Sequence, residues 1–209
     1  MSSIELKNTS YRYKVGGVSD VSFTVPEGKI ACLLGPSGSG KTTLLKLMAG
    51  FLKPQGGEIR IGGDVIAKAQ EAFVIPQERH IGLVFQQHAL FPHLTVSQNI
   101  LFGCTRENKE ERQVLLMQLL EDFQIKQHEK RFPHQISGGE QQRVAIARAI
   151  ASDPKVLLMD EPFSSLDKAL RDQVQTQCLK VIRDRGLTTV MVTHDEESAK
   201  VMGDLIIRL

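Results

Sequence analysis

The chain has 209 residues, enough for one substantial core. A hydrophobic fraction of 41%, a charged fraction of 24% and a formal net charge of +2 describe an ordinary globular protein, and nothing in them argues for a strongly basic nucleic-acid binder. The apolar runs IACLLG, VLLM and TTVMVT are strand-sized, far short of a membrane span, and residues 1–10 lack the basic start and apolar stretch of a secretory signal, so a cytosolic chain is expected.

In chain order, Ile4–Leu6, Val21–Val25 and Lys29–Leu34 read as strands, separated by the turn residues Gly16-Gly17 and Pro26-Glu27-Gly28. The third run is almost wholly apolar, as in a strand buried on both faces of a parallel sheet. Thr42 to Ala49 reads as a helix with Gly50 just past its end. Glu58–Ile61 and Val65–Ala67 read as a hairpin across Gly62-Gly63-Asp64, and Ile81–Phe85 as a further strand. From about Gln87 to Ile150 a mostly helical stretch is expected. Within it Glu107–Gln124 carries Val114, Leu115, Met117, Leu119 and Leu120 at helical spacing. Val156–Met159 and Thr189–Val192 read as buried strands flanking a helix around Leu166–Arg185, and GDLIIRL reads as a strand. Strands and helices alternating around a helical insertion predict an α/β parallel sheet with a helical lobe. Cys32, Cys104 and Cys178 form no CxxC pair and read as buried or neutral thiols.

Gly35, Pro36, Ser37, Gly38, Ser39, Gly40, Lys41 and Thr42 fit GxxxxGK[ST], with Thr43 next, directly after a buried strand and before a helix. Glycines let successive backbone N–H groups curl around phosphates, and the helix start adds positive potential. Lys41 would reach the β- and γ-phosphates, and the Thr42 hydroxyl would ligate Mg²⁺. VLLMDEP brings Asp160 and Glu161 to a strand end, beyond which ligands bind in open α/β sheets. Asp160 would hold Mg²⁺ through water and Glu161 would orient the attacking water; a surface acidic pair before a proline turn is the alternative. ISGGEQQRVAIARAI places Ser137, Gly138 and Gly139 where a loop becomes a helix, a second phosphate-seeking start without a lysine.

On these motifs the chain resembles, over nearly its entire length, the ATPase subunit of ATP-binding cassette transporters. The resemblance implies a P-loop, RecA-like parallel-sheet core with an N-terminal antiparallel β subdomain and a helical lobe. One domain would fill 1–209, with core and β subdomain at 1–86 and 151–209, the lobe at about 87–150, and no C-terminal regulatory domain. ISGGEQQR resembles the family's signature, with Ile136 in place of the usual Leu and Glu140 where Gln is frequent. In the family two subunits pair head to tail, so Ser137 and Gly139 would contact the γ-phosphate of an ATP held by the partner's cradle.

The same resemblance assigns adenine stacking to Tyr13, with Tyr11 a nearby competitor. Gln86 would link Mg²⁺ and the attacking water to the lobe, although a solvated polar residue is the plain alternative. Asp167 would reach across the dimer and can also be a helix N-cap, and His194 would sense the γ-phosphate. HALFPHLTVSQNILFG (88–103) would receive transmembrane permease subunits, with Leu90, Phe91 and Leu94 lining that groove or packing the lobe. Implied partners are a second copy through ATP, the permease and, indirectly, a substrate-binding protein, with no nucleic acid. The implied location is peripheral, at the cytoplasmic face of the inner membrane. LFPHLTVSQNI, EQQRVAIARAI and EPFSSLD look most like ferric-iron importers, with polyamine, sugar, sulfate and molybdate relatives as alternatives. A soluble cassette ATPase without a membrane partner and a P-loop kinase are the rival classes.

Overall fold

The computed structural model describes residues 2–209, which divide into two compact units. One comprises the residues through Leu83 with Lys155–Glu161 and Gly186–Leu209; the other comprises Val84–Pro154 and Pro162–Arg185.

In the first unit the chain runs β1 (Ile4–Arg12), β2 (Gly17–Val25), β3 (Ile30–Leu34), α1 (Lys41–Ala49), β4 (Gly56–Ile61), β5 (Asp64–Lys68) and β6 (Ile81–Val84). It later returns as β7 (Val156–Asp160), β8 (Thr188–Thr193), α6 (Glu196–Met202) and β9 (Leu205–Arg208). A four-stranded sheet has the order β2-β1-β4-β5, with all its pairings antiparallel. A five-stranded sheet has the order β6-β7-β8-β3-β9, and β3 pairs in parallel with both β8 and β9, as β7 does with β8. Every residue of β3 and β8 is buried, which is why their sequences run apolar or β-branched without alternation. Ile4, Leu6, Val25, Ile59 and Ile61 from the antiparallel sheet pack in one cluster with Leu44, Leu47 and Met48 of α1 and Leu33, Leu158 and Val190 of the parallel sheet.

The first strand is longer than the expected Ile4–Leu6. Register shifts at Leu6/Thr9 and Thr9/Tyr11, with Asn8 at φ 46°, break the two-residue alternation that marks a strand in sequence. Gly17, expected within a turn, opens β2; a Cβ there would stand 2.2 Å from the Tyr11 carbonyl oxygen. Helix α6 was not anticipated. At seven residues it is too short for a periodic pattern, and Asp195 caps it by accepting from the N–H groups of Glu197 and Ser198.

The second unit contains α2 (Val96–Phe102), α3 (Lys109–Asp122), α4 (Gly138–Ala151) and α5 (Lys168–Asp184). The stretch from about residue 87 to 150, expected to be mostly helical, holds three helices, with single-turn 3₁₀ segments at Lys126–His128 and Pro133–Gln135. Asn108 caps α3, and its buried face is Leu115, Leu116, Leu119 and Leu120; Val114, expected on that face, points outward at 55% exposure. Buried Asn99 in α2 accepts from the Phe91 N–H and donates to the carbonyls of Phe91, Leu94 and Thr95, which fixes the preceding turn. Cys32 and Cys178 are buried, and that burial pushes their thiols up to about 12.

Candidate functional site

Parallel strands end on one side of a sheet, and here three of them end in the residues singled out from the sequence. Leu34, which leads into Gly35, lies opposite Thr193, which leads into His194, and Asp160 lies opposite Val192. The crevice beyond such strand ends is where ligands bind in open α/β sheets.

The glycine-rich turn is shaped by what surrounds it. Gly40 sits at φ 94° with no room for a side chain, since a Cβ would stand 2.2 Å from Val18 Cγ1. Directly behind it, the first N–H groups of α1 have no carbonyl one turn back to bond. Lys41, only 5% exposed, donates from Nζ to the Gly35 oxygen at 2.7 Å and the Pro36 oxygen at 2.8 Å. Both acceptors are neutral carbonyls, so neither bond pairs the Lys41 side chain with a carboxylate. The Ser39 hydroxyl is buried without a hydrogen-bond partner among the described residues. A phosphate would satisfy it together with the open N–H groups and Lys41, so the cradle fits a nucleoside polyphosphate.

Thr42 donates to Asp160 Oδ1 at 3.4 Å. Burial, more than any neighbour, raises the Asp160 carboxyl above its ordinary range, and Glu161 adds to this while Thr42 and the Lys46 and Lys41 charges oppose it. A desolvated carboxylate beside a hydroxyl is a hard-oxygen pair suited to a Mg²⁺ ion that takes its other ligands from phosphate and water. Glu161 adopts φ 44°, a backbone conformation uncommon for a residue with a side chain, and its N–H donates to the Val192 oxygen at 3.0 Å. Its Oε2 accepts from His194 Nδ1 at 3.0 Å. Tyr13 is 43% exposed, its ring packed edge-on against Tyr11 with centroids 4.9 Å apart. A hollow of about 300 Å³ touches Tyr13, Ser37, Gly38, Lys41, Thr42 and Glu161.

The remaining candidates belong to the second unit. Ser137 caps α4 and accepts from the Glu140 N–H, while Gly138 and Gly139 form the first helical residues. A Cβ on Gly139 would stand 2.9 Å from the Leu170 side chain, so α4 starts close against α5. Asp167 caps α5 by accepting from the Leu170 N–H at 3.0 Å. Gln86 donates to the Ser164 hydroxyl at 3.4 Å. In the stretch 88–103, Phe91 packs on Phe102 at 4.3 Å between centroids, and Phe102 is 65% exposed. Arg148 stacks over Phe91 and donates to the carbonyls of His88 and Ala89. The larger hollow of this unit, about 820 Å³ between α3 and α5, includes none of these groups, so volume alone does not select the site.

Three contacts had no signal in the sequence. The Glu161–His194 bond spans 33 positions, Arg79 is buried against the last turn of α1, and His128 meets Glu140. None has a spacing rule, because each is created by chain packing.

A lysine-bearing turn between a buried parallel strand and a helix, facing a strand that ends in two carboxylates, defines a P-loop nucleotide-binding protein. Within that class the chain belongs to the ABC transporter family, whose model matches residues 18–164. It is 42% identical over 206 residues to the putrescine transport ATP-binding protein PotG of Escherichia coli, covering 97% of this chain and 53% of that protein. It is 46% identical over 191 residues to the Fe(3+) ions import ATP-binding protein FbpC of Pseudomonas fluorescens, covering 91% of this chain and 53% of that protein. The chain therefore spans about half the length of these curated relatives. A solved dimer of the ATP-binding cassette MJ0796, in a post-hydrolysis state bound to ADP and Pi, superposes with a TM-score of 0.81 at 34% identity, over 99% of this chain and 94% of that one.

Proposed function

We propose that this chain is the ATP-binding and ATP-hydrolysing subunit of a bacterial ABC importer, with ATP clamped between the cradle of one copy and the Ser137–Gly139 turn of a second. The observation that carries the reading is the arrangement at the sheet edge, where buried Lys41, donating to the Gly35 and Pro36 carbonyls, lines the same hollow as Glu161, whose carboxylate is bonded to His194. The assembly with a second copy is supported by the similarity to the MJ0796 dimer.

Phosphoryl transfer to water needs little covalent chemistry from a protein; positioning and charge stabilisation supply most of the rate. Lys41 and the N–H groups at the start of α1 bind the phosphates, and Tyr13 offers its ring to the base. Thr42 and Asp160 would hold Mg²⁺, which when bound would supply charge neutralisation to the phosphates. Glu161 orients and polarises the attacking water, and His194 holds its carboxylate in place. Ser137 and the helix start behind it add partial positive charge, worth about 0.3–1 kcal/mol for each exposed interaction, so the second copy acts as a clamp rather than the main binding site. Gln86 couples the nucleotide state to the helical unit, and Asp167 reaches across the dimer.

The aromatic surface around Phe91 and Phe102 is the proposed permease contact, which would hold the subunit at the cytoplasmic face of the inner membrane; cross-linking to the permease tests it. Among the described residues no helix is long and apolar enough to cross a membrane. Ferric iron and putrescine both stand as cargo on the two relatives, and uptake assays with the permease distinguish them. The central test is Glu161→Gln. Nucleotide binding should persist, turnover should stop, and an ATP-dependent dimer should accumulate in light scattering. A monomer persisting at high protein and ATP concentrations would overturn the reading.

A further inference from the structure

The start of α4 carries a full negative charge where the proposed reading brings in a phosphate. Glu140, in the first turn of the helix, folds back so that Oε2 accepts from the Ser137 N–H at 2.7 Å and from the Ser137 hydroxyl at 2.9 Å. The Ser137 proton is therefore already committed. A carboxylate at a helix start also competes with any other anion for the same N–H groups and dipole.

The other carboxylate oxygen, Oε1, lies 2.6 Å from His128 Nε2. A carboxylate only accepts, so this ring nitrogen is the donor. His128 is 8% exposed, its Nδ1 is buried without a partner among the described residues, and Gln127 Nε2 stands 3.3 Å from the same Nε2. A buried imidazole that spends its one strong hydrogen bond on Glu140 is costly unless that bond matters. Burial alone would push the Glu140 carboxyl up, but the bonds from Ser137 and His128 outweigh it and hold the group below its ordinary range, so it is ionised near neutrality.

We infer that His128 is a positioning residue for the phosphate clamp, acting through Glu140 to set how firmly the Ser137 hydroxyl is held and how much uncompensated negative charge stands at the start of α4. This rests on the proposed role of Ser137. With the His128 donor in place, Oε1 is satisfied and the carboxylate charge is spread over two sites. Without it, Glu140 pulls harder on the Ser137 proton and repels the γ-phosphate more strongly.

The test is a double-mutant cycle in the full chain, read by steady-state ATP hydrolysis and by nucleotide binding to the monomer. His128→Leu should raise the KM for ATP about tenfold with a smaller change in kcat and no change in monomer nucleotide affinity. His128→Gln, whose amide can still donate to Oε1, should recover most of the loss. In a Glu140→Gln background the His128→Leu change should shift KM by less than about twofold, because the charge it compensates is gone. An equal loss in both backgrounds would show that His128 acts by packing alone, and an unchanged KM in the single variant would equally overturn the inference. If the leucine variant does not fold, His128→Met makes the same comparison. Ser137→Arg separates the two levels. Normal turnover there sinks the clamp reading and this inference with it, whereas an inactive Ser137→Arg beside a normal His128→Leu sinks only the inference.

Discussion

His194 Nδ1 stands 3.0 Å from Glu161 Oε2 and ties the residue after β8 to the residue after β7. Parallel pairing of those strands sets the two residues at one sheet edge, and the left-handed backbone of Glu161 turns its carboxylate toward the ring. Residues held in that conformation cost about 1–3 kcal/mol and persist where the surroundings over-determine them, which here includes the Glu161 N–H bond to Val192.

If the imidazole holds the carboxylate in its working direction, His194→Ala should lower kcat about a hundredfold while changing nucleotide affinity little. Steady-state kinetics beside equilibrium nucleotide binding make the comparison. An unchanged kcat would mean that the contact is incidental to hydrolysis.

Asp160 should be a liability to the fold until nucleotide arrives. Its raised carboxyl favours the protonated form in the folded chain, so the ionised group detracts from stability near neutral pH. That penalty disappears as pH falls through the raised value. Asp160→Asn should therefore melt higher than the parent chain at neutral pH without Mg²⁺ or nucleotide, by about 2–4 °C for each kcal/mol released. The gap should narrow as the solution is acidified, and Mg²⁺-dependent hydrolysis should be lost. Calorimetry across pH checks the sign: a variant that melts lower at neutral pH contradicts it.

Arg79 makes the opposite prediction. Its guanidinium, lowered to about 10 by burial, donates to the carbonyls of Leu47, Met48 and Val74 at 2.8, 2.8 and 2.7 Å and lies over the Phe73 ring. It is positively charged at neutral pH and sits at the negative end of α1. Arg79→Met would add apolar burial but strand buried carbonyls, each worth about 1–3 kcal/mol. Leu47 oxygen keeps the Gly50 N–H, so the expected net loss is about 2–4 kcal/mol. Thermal denaturation should show it, with kcat per folded molecule close to that of the parent chain. A variant as stable as the parent would mean that hydrophobic gain offsets the broken bonds.

Legibility along the chain followed the strength of local rules. The buried strands β3, β7 and β8 were readable because a strand covered on both faces must be apolar throughout. The GSGKT turn was readable because a phosphate cradle constrains residue type at fixed spacing. Bulged β1 and short α6 were not, since their periodic patterns are broken or too brief. Val114 misled because α3 presents adjacent leucines to its neighbours, and one residue of rotation moves a side chain from core to solvent.

By itself, then, the sequence determined the chemistry: which residues can cradle a phosphate, which carboxylates can stand near Mg²⁺, and which helix starts can meet an anion. Those properties reside in backbone freedom and side-chain type over a few consecutive positions. Only the tertiary structure decided which of these groups touch. Parallel pairing of β7 and β8 put His194 on Glu161, and a turn ahead of α4 put His128 on Glu140. Contacts between residues far apart in sequence depend on how distant segments pack, and no local pattern encodes that geometry.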